Sequence, residues 1–367
     1  MKPYGKLYTL DDSRDWGANG TVVQDIKGRN LISAIFIRVQ LTVATVSVML
    51  DTLASTVSRV ELVDGSRVLY SMSGEMAQAM AYYMTGKMPF NRFNLTAAGY
   101  DEFVIPVMFG RYLGDPEYAL DPNRFANLQL KVTFDEDACS TAVIVNQFQI
   151  DALTIPPNYA GSVKGFLSSK DVKTYAMAAS AHNETILPND FPLYGLLYQA
   201  DTVDHDVTDL VDVFKIDLNN NADVLYNETF CHYWRQYIAQ NYAPVIEAHI
   251  LDTAITAKVM FANTRQNNHG DVGYDDTAVT AAGELCECIF LGHFLNTAAS
   301  VAVLGETIQI QGEIPHGVFP FPFMGNDMRP YWSINSRDTL RMDVLSLAAA
   351  DAGDTGVISA IQVVPNS

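Results

Sequence analysis

At 367 residues the chain is long for one hydrophobic core, and at roughly 100–200 residues per domain it indicates two domains. With 49% hydrophobic and 18% charged residues it is a globular chain, which excludes an intrinsically disordered one. Its 23 basic and 42 acidic residues give a net charge of −19, and the basic residues are scattered singly, so no direct binding of nucleic acid is expected.

The chain begins with a segment that reads as an extended N-terminal arm, residues 1–21. It lacks the apolar stretch of a secretory signal. Two contacts stay open for this arm, an internal membrane or a neighbouring subunit, because Lys2 and Lys6 precede Asp11 and Asp12.

Strict alternation of apolar and polar residues is the recurring local signal after the arm. It is typical of half-buried strands, and many short strands bounded by turn residues favour an all-β sandwich. The strand-like segments are residues 31–43, 128–134, 143–155, 308–311, 340–344 and 357–364.

One hairpin sequence occurs twice. VELVDGSRVLY at residues 60–70 and IDLNNNADVLY at residues 216–226 align with an offset of 156. Asp-Gly in the first predicts a tight turn, whereas Asn-Asn-Asn in the second predicts a looser or more exposed one.

Each hairpin precedes a predicted helix. Residues 73–86 have Ser73 as N-cap, an acidic first turn and Gly86 as terminator. The counterpart is residues 227–241, where aromatic residues recur at helical spacing. We interpret this stripe as core and not as a ligand platform; its members are Tyr233, Trp234 and Tyr237.

A second alignment has a different offset, 212, which relates Asp115 to Asp327 and Leu128 to Leu340. Two alignments in the same order imply a duplicated domain. The offsets differ by 56 residues, so the second copy carries an insertion between about residues 241 and 316. A polar run within it, residues 266–276, is expected to form an exposed loop.

No catalytic motif is present. Metal ligation is conceivable for His205 and for His269 with their neighbouring aspartates, but neither has metal-site spacing, so both are interpreted as solvated loops. Cys286 and Cys288 are interpreted as small buried residues, and the acidic residues 135–137 as a hairpin turn. No catalytic, cofactor-binding or metal-binding residue is therefore assigned, and no enzyme activity is expected.

The chain resembles the double jelly-roll major capsid proteins of tailless icosahedral viruses, many of them bacterial viruses with an internal membrane. The residues that carry the resemblance are FGRYLGDPEYAL at 109–120 and NRFANLQLKVT at 123–133. The resemblance implies two tandem eight-stranded jelly rolls, residues 22–157 and 158–367. It also implies homotrimeric, pseudo-hexagonal capsomers with insertions on the outside.

The expected function is that of a structural virion protein without a cofactor, located in the capsid shell and assembled in the host cytoplasm. Its expected partners are itself, neighbouring capsomers, minor capsid or vertex proteins, and an internal membrane through the arm. Two alternatives stay open. One is a tandem β-sandwich that binds or cleaves carbohydrate, with an aromatic platform and a carboxylate pair; the other is a minor vertex or spike protein of the same particle.

Overall fold

Strands dominate the structure, a computed structural model of the chain. It describes residues 5–17, 19–28, 30–43, 51–92, 100–139, 143–156, 163–201, 207–252, 263–264, 288–291, 304–323, 332 and 338–365.

The first half forms two sheets around one core. Its strands are β1 (Lys6–Arg14), β2 (Asn19–Asp25), β3 (Leu31–Val43), β4 (Val57–Asp64), β5 (Arg67–Met72), β6 (Asn91–Arg92), β7 (Tyr100–Met108), β8 (Leu128–Asp135) and β9 (Val143–Ile155). One sheet has the order β1-β9-β3-β7-β6, and the other has the order β2-β8-β4-β5. Helix α1 (Gly74–Thr85) follows β5.

The second half repeats the arrangement and adds a third, small sheet. Its strands are β10 (Gly165–Ala176), β11 (His182–Ile186), β12 (Leu193–Asp201), β13 (Val211–Leu218), β14 (Asp223–Thr229), β15 (Val245–Asp252), β16 (Cys288–Leu291), β17 (Leu304–Gly312), β18 (Val318–Pro322), β19 (Leu340–Ser346) and β20 (Thr355–Pro365). Its helices are α2 (Val207–Leu210), α3 (Phe230–Tyr233) and α4 (Ala239–Asn241), with a π-helical turn, Trp234–Ile238, between the last two.

The strands pair in the same order in both halves. The order β10-β20-β12-β18 repeats β1-β9-β3-β7, and β11-β19-β13-β14 repeats β2-β8-β4-β5. Eight strands in each half therefore follow one pattern, which confirms the prediction of two tandem eight-stranded jelly rolls. A single parallel bridge between Lys170 of β10 and Ser71 of β5 joins one sheet of each half, β10-β20-β12-β18 and β2-β8-β4-β5, into an eight-stranded sheet.

The two hairpins occupy equivalent places, β4–β5 and β13–β14. In the first, Asp64 pairs with Arg67 across a two-residue turn, and Gly65 has a positive φ of 61°. Glycine adopts this conformation without the steric cost of a Cβ atom. In the second, the turn has four residues, and Asn219, Asn220 and Asn221 all have positive φ. The tight first turn and the looser second turn are as predicted.

The helices after the hairpins differ from each other. The Ser73 hydroxyl accepts a hydrogen bond from Met76 N, and Gly86 adopts the left-handed conformation, so α1 begins and ends as predicted. The second helix was expected to begin at Asn227, but residues 227–229 continue β14 in its pairing with β13. Helical structure begins only at Phe230.

The two cores are built by the alternation that the sequence shows. Buried side chains line one face of β8 and the equivalent face of β19; they are Leu128, Leu130, Val132, Leu340, Met342 and Val344. The predicted aromatic stripe also belongs to the second core, since Tyr233 is buried and Trp234 and Tyr237 pack against the buried cluster.

Residues 6–14, within the predicted extended arm, form an edge strand. They pair with β9 from Lys6 opposite Thr154 onward, and Leu10 packs against the first core. Strand β2 also starts before residue 22. The boundaries near residues 21 and 157 stay predictions, with β9 ending at Ile155 and β10 beginning at Gly165.

The additional sheet lies where the two offsets place the insertion. Strands β15, β17 and β16 pair in that order between α4 and β18. The predicted exposed loop at residues 266–276 lies outside the described residues, as does Asp327.

Candidate functional site

The junction between the two jelly rolls is held by the loop that carries the family resemblance, residues 109–120. Leu167 N donates a hydrogen bond to Phe109 O (2.9 Å), and Ala119 N donates to Gly165 O (2.9 Å). These bonds attach the start of β10 to the first jelly roll by its backbone.

A charged cluster supports this loop. Arg111 donates to both carboxylate oxygens of Asp115 (2.7 and 3.1 Å) and to Glu117 (2.8 Å), while Lys164 donates to the other oxygen of Glu117 (2.8 Å). Asp115 is fully buried, and its hydrogen bond is the largest of the influences that raise the pKa of Arg111. The hydrogen bond from Lys164 lowers the pKa of Glu117 against the opposing effect of burial. The hydrogen bonds between these charged side chains therefore hold the loop in place.

Helix α1 contacts the second jelly roll through its last turns. Tyr83 donates to Val318 O (2.6 Å), and the Tyr82 hydroxyl donates to Ala243 O. Burial raises the pKa of both hydroxyls, to about 12 for Tyr82, so both stay protonated donors near neutral pH.

The first turn of α1 contributes a buried polar network to the same contact. Glu75 accepts from Thr52 Oγ1 (2.5 Å) and from Gln199 Nε2 (2.9 Å), and its Oε1 lies 3.4 Å from Nδ1 of His316. Gln78 Oε1 lies 2.9 Å from His316 Nε2. Glu75 and Gln78 belong to the first jelly roll, whereas Gln199 and His316 belong to the second.

His316 lies between two polar side chains of α1. Nε2 of Gln78 donates to Val104 O (2.9 Å), which orients the amide so that its oxygen faces Nε2 of His316. Nδ1 of His316 faces the carboxylate of Glu75.

The exposed apolar residues lie mostly on separate elements. Leu7 and Tyr8 are neighbours on β1 and are 58% and 57% exposed. Strand β1 pairs only with β9 among the described strands, so its outer edge carries backbone groups that are free for a further strand. This edge is a candidate contact surface.

Most of the candidate ligand residues of the sequence fall outside the part of the chain that the structure describes. His205 and His269, with their neighbouring aspartates, lie outside the described residues, as does Cys286. Cys288 lies on β16. Asp135 ends β8, and Glu136 and Asp137 lie in the turn that follows, as expected; Asp137 N donates to Asp135 Oδ1 (3.2 Å). Within the described ranges no group of three or more His, Cys, Asp or Glu could hold a metal ion.

Described residues line a surface cavity beside one hairpin turn and another between the jelly rolls. One, of about 460 Å³, lies beside the β13–β14 turn and contains Glu184 and Arg341 among polar neighbours. Arg341 is held there by Asp217 (2.9 Å) and Glu184 (3.1 Å). The other, of about 390 Å³, lies between the jelly rolls and is lined by arginine and phenylalanine side chains.

The network at the junction was not predicted from the sequence. Glu75 was interpreted only as part of an acidic first turn, and His316 only as the end of an insertion. Because the two residues are 241 positions apart, no local pattern could join them. The one available signal was a charged residue on a helix whose other residues are mostly apolar.

The fold is that of known virus capsid proteins. No known protein-family model and no curated protein matches the chain. Among solved structures it is similar to the major capsid protein P2 of bacteriophage PM2 (TM-score 0.52, 9% identity, 99% of each chain covered). It is also similar to the PBCV-1 virus capsid (0.53, 10%, 99% of this chain and 94% of that chain) and to the STIV MCP (0.51, 14%, 94% and 97%).

These similarities extend over nearly the whole chain, so the double jelly-roll architecture is shared from end to end. Among the described residues, no helix has the length and apolar character needed to cross a membrane.

Proposed function

We propose that this chain is a major capsid protein that forms homotrimeric, pseudo-hexagonal capsomers of an icosahedral shell. The observation that carries the proposal is the duplication itself. One eight-stranded pattern occurs twice, and the copies are joined side by side by hydrogen bonds, a polar network and a shared sheet. Solved structures with this arrangement along their whole length include the major capsid protein P2 of bacteriophage PM2.

The physical basis is the symmetry of the assembly. Two similar domains in one chain present two similar outer faces, so three copies around a threefold axis place six jelly rolls in an approximate hexagon. Hexagonal units tile a shell with a single gene product. This function needs a rigid junction and exposed edges, and no reactive group.

The finer assignments belong to the same proposal. The proposed jelly rolls are residues 22–157 and 158–367, and β1 and the start of β2 add their strands to the first. The proposed location is the capsid shell of a bacterial virus, which is assembled in the host cytoplasm. The exposed edge of β1, with Leu7 and Tyr8, supports contact of the N-terminal segment with a neighbouring subunit or an internal membrane. Minor capsid or vertex proteins are further partners. The net charge of −19 opposes direct contact with the genome.

No observation favours the carbohydrate alternative. It requires an aromatic platform beside a pair of carboxylates. The surface cavity that contains Glu184 has no aromatic lining, and the cavity lined by phenylalanines has no carboxylate.

Native mass spectrometry of the purified protein tests the proposal. We expect a species of three times the 40.4 kDa chain mass. A protein that stays monomeric at high concentration, with no larger assembly in the material from which it is isolated, would contradict it.

A further inference from the structure

Within one chain, the first jelly roll contacts the second through a pair of parallel strands, β5 and β10. Lys170 of β10 bridges to Ser71 of β5, and beside this bridge Ser168 Oγ donates a hydrogen bond to Leu69 O (2.5 Å). Residues 69–72 of β5 are all buried. The edge of β5 is therefore covered by the neighbouring jelly roll.

The counterpart of β5 in the second jelly roll is β14. Each is the second strand of the repeated hairpin, and the offset of 156 relates Ser71 to Asn227. Among the described strands β14 pairs only with β13. Its residues are exposed or half-buried throughout, and Val224 is 42% exposed. In the described part of the chain, the place that β10 takes beside β5 is thus open beside β14.

The counterpart of β10 in the first jelly roll is β1, whose outer edge is open as well. Each pairs with the last strand of its jelly roll, β9 or β20, and each pairing has a bulge, after Thr9 in β1 and after Asp171 in β10. Aligning these bulges makes Tyr8 the counterpart of Lys170. Residues 165–169 of β10 are buried, whereas the side chains at the start of β1 are exposed.

The chain therefore carries both halves of its internal strand contact a second time. The open edges belong to β14 on the second jelly roll and to β1 on the first, and the two strands lie in different sheets of one chain. A second copy supplies the missing partner, because its β1 can lie beside β14 as β10 lies beside β5. Unpaired strand edges favour such addition, and both edges expose apolar side chains; these are Leu7, Tyr8 and Val224.

We propose that β1 of one copy adds in parallel to β14 of the next copy, with Tyr8 opposite Asn227, and so repeats between chains the contact that β10 and β5 make within one. The inference rests on the proposed function, since it names the surfaces that join copies in the homotrimer. Three such contacts alternate with three internal ones and close the ring, because the two surfaces are different and the contact is head-to-tail.

Disulfide cross-linking of the full chain tests this strand pair. Tyr8→Cys with Asn227→Cys places the two thiols on different copies, and Lys170→Cys with Ser71→Cys is the matched control within one chain. Bridged residues on neighbouring strands lie within the distance that a disulfide spans. On a non-reducing gel after mild oxidation, we expect covalent trimers from the first pair and a disulfide within the monomer from the control. The single variants show any cross-links through the native cysteines.

Sedimentation equilibrium on two tyrosine variants gives an independent measurement. Tyr8→Ala and Tyr100→Ala each remove an exposed side chain, 57% and 55% exposed, but only Tyr8 lies on β1. We expect Tyr8→Ala to weaken self-association about tenfold and Tyr100→Ala to leave it unchanged. Thermal melting establishes that both variants fold.

Trimers that form but do not cross-link through Tyr8→Cys and Asn227→Cys, while the control pair does, overturn the inference and leave the proposed function intact. Tyr8→Ala that self-associates like the original protein has the same meaning, and it decides the matter if neither cysteine pair reacts. Cross-linked products longer than three copies contradict the closed ring and the homotrimer. An original protein that never self-associates overturns the proposed function and, with it, this inference.

Discussion

The two jelly rolls share one strand order but differ in what joins their helix to the next strand of the pattern. Residues 86–99 connect α1 to β7 in the first copy, whereas residues 242–317 connect α4 to β18 in the second and include an additional sheet. The paired strands are thus retained while the loops at one end vary. The shared fold depends on the alternation of apolar and polar residues within the strands, whereas the differences between the two jelly rolls lie in the connections between strands.

The helices that follow the two hairpins show the same division. By the offset of 156, Glu75 and Gln78 of α1 correspond to Cys231 and Trp234. The first pair binds the neighbouring jelly roll, whereas Cys231 is half-buried and Trp234 packs against its own core. The two helices thus follow equivalent hairpins but differ in their contacts, α1 with the neighbouring jelly roll and the second with its own core.

The largest expected effects come from equivalent core positions. Leu130→Ala in the first copy and Met342→Ala in the second each remove a fully buried side chain. We expect each to lower the free energy of unfolding by about 2–5 kcal/mol, because a cavity replaces packed atoms. Urea unfolding at fixed protein concentration measures the loss, and hydrogen exchange shows which jelly roll is affected.

If the jelly rolls have separate cores joined at the junction, each variant accelerates exchange mainly in its own half. Uniform acceleration in both halves from either variant would mean that the two copies unfold as one cooperative unit.

The next largest effects are expected in the buried polar network at the junction. Glu75→Ala removes the buried carboxylate that accepts from Thr52 and Gln199 and faces Nδ1 of His316, and we expect a loss of about 3 kcal/mol in the free energy of unfolding. Cys231→Ala, at the equivalent position, is the matched control, with an expected loss below about 1 kcal/mol. Urea unfolding measures both.

Glu75→Gln sharpens this comparison. The amide can accept one hydrogen bond and donate to His316. We therefore expect Glu75→Gln to lower the free energy of unfolding less than Glu75→Ala does. Equal losses in Glu75→Ala and Cys231→Ala would show that the network contributes no more to stability than an ordinary helix position.

A smaller effect concerns pH. Burial raises the pKa of Asp171 above its usual 3.8, although the Ser359 hydroxyl donates to it (2.6 Å). The folded protein therefore binds this proton more tightly than the unfolded chain does. Stability falls as the pH rises from the unfolded value through the folded one, and the loss is constant above that. Asp171→Asn is therefore expected to gain stability at pH 7 and nothing near pH 2.

Glu117 provides the contrast of sign, because Lys164 lowers its pKa. The Glu117 carboxylate stabilises the fold above its pKa in the unfolded chain, and this stabilisation disappears as the pH falls through its lower pKa in the folded protein. Glu117→Gln should therefore lose stability at pH 7. Thermal melting of both variants between pH 2 and 7 measures these trends. Parallel pH profiles for the two variants would contradict the assignment.

The smallest effects belong to the two turns. Gly65→Ala places a Cβ at a positive φ and is expected to cost about 1 kcal/mol, whereas Asn220→Gly is expected to stabilise by about 0.5 kcal/mol. Thermal melting compares the two variants. A neutral Gly65→Ala would show that the first turn relaxes to another conformation.

Local patterns predicted the strands, α1 and both hairpins because each depends on residues close together in sequence. The alternation of Leu128, Leu130 and Val132, and its repeat 212 positions later, required no knowledge of the fold. The late start of the second helix was missed because pairing of residues 227–229 with β13 outweighs their capping signal.

The junction could not be predicted from the sequence for a different reason. Glu75 with His316, and Tyr83 with Val318, meet only after both jelly rolls have formed. Contacts between domains depend on how two finished surfaces match, and a single sequence contains no periodic signal for that match.

The most direct test of the proposed assembly is a negative-stain electron micrograph of assembled material. Pseudo-hexagonal capsomers, each with three copies of the chain, are the predicted result. Shells built from other units, or particles in which this chain occurs only at the vertices, would contradict the proposal that it forms the main shell.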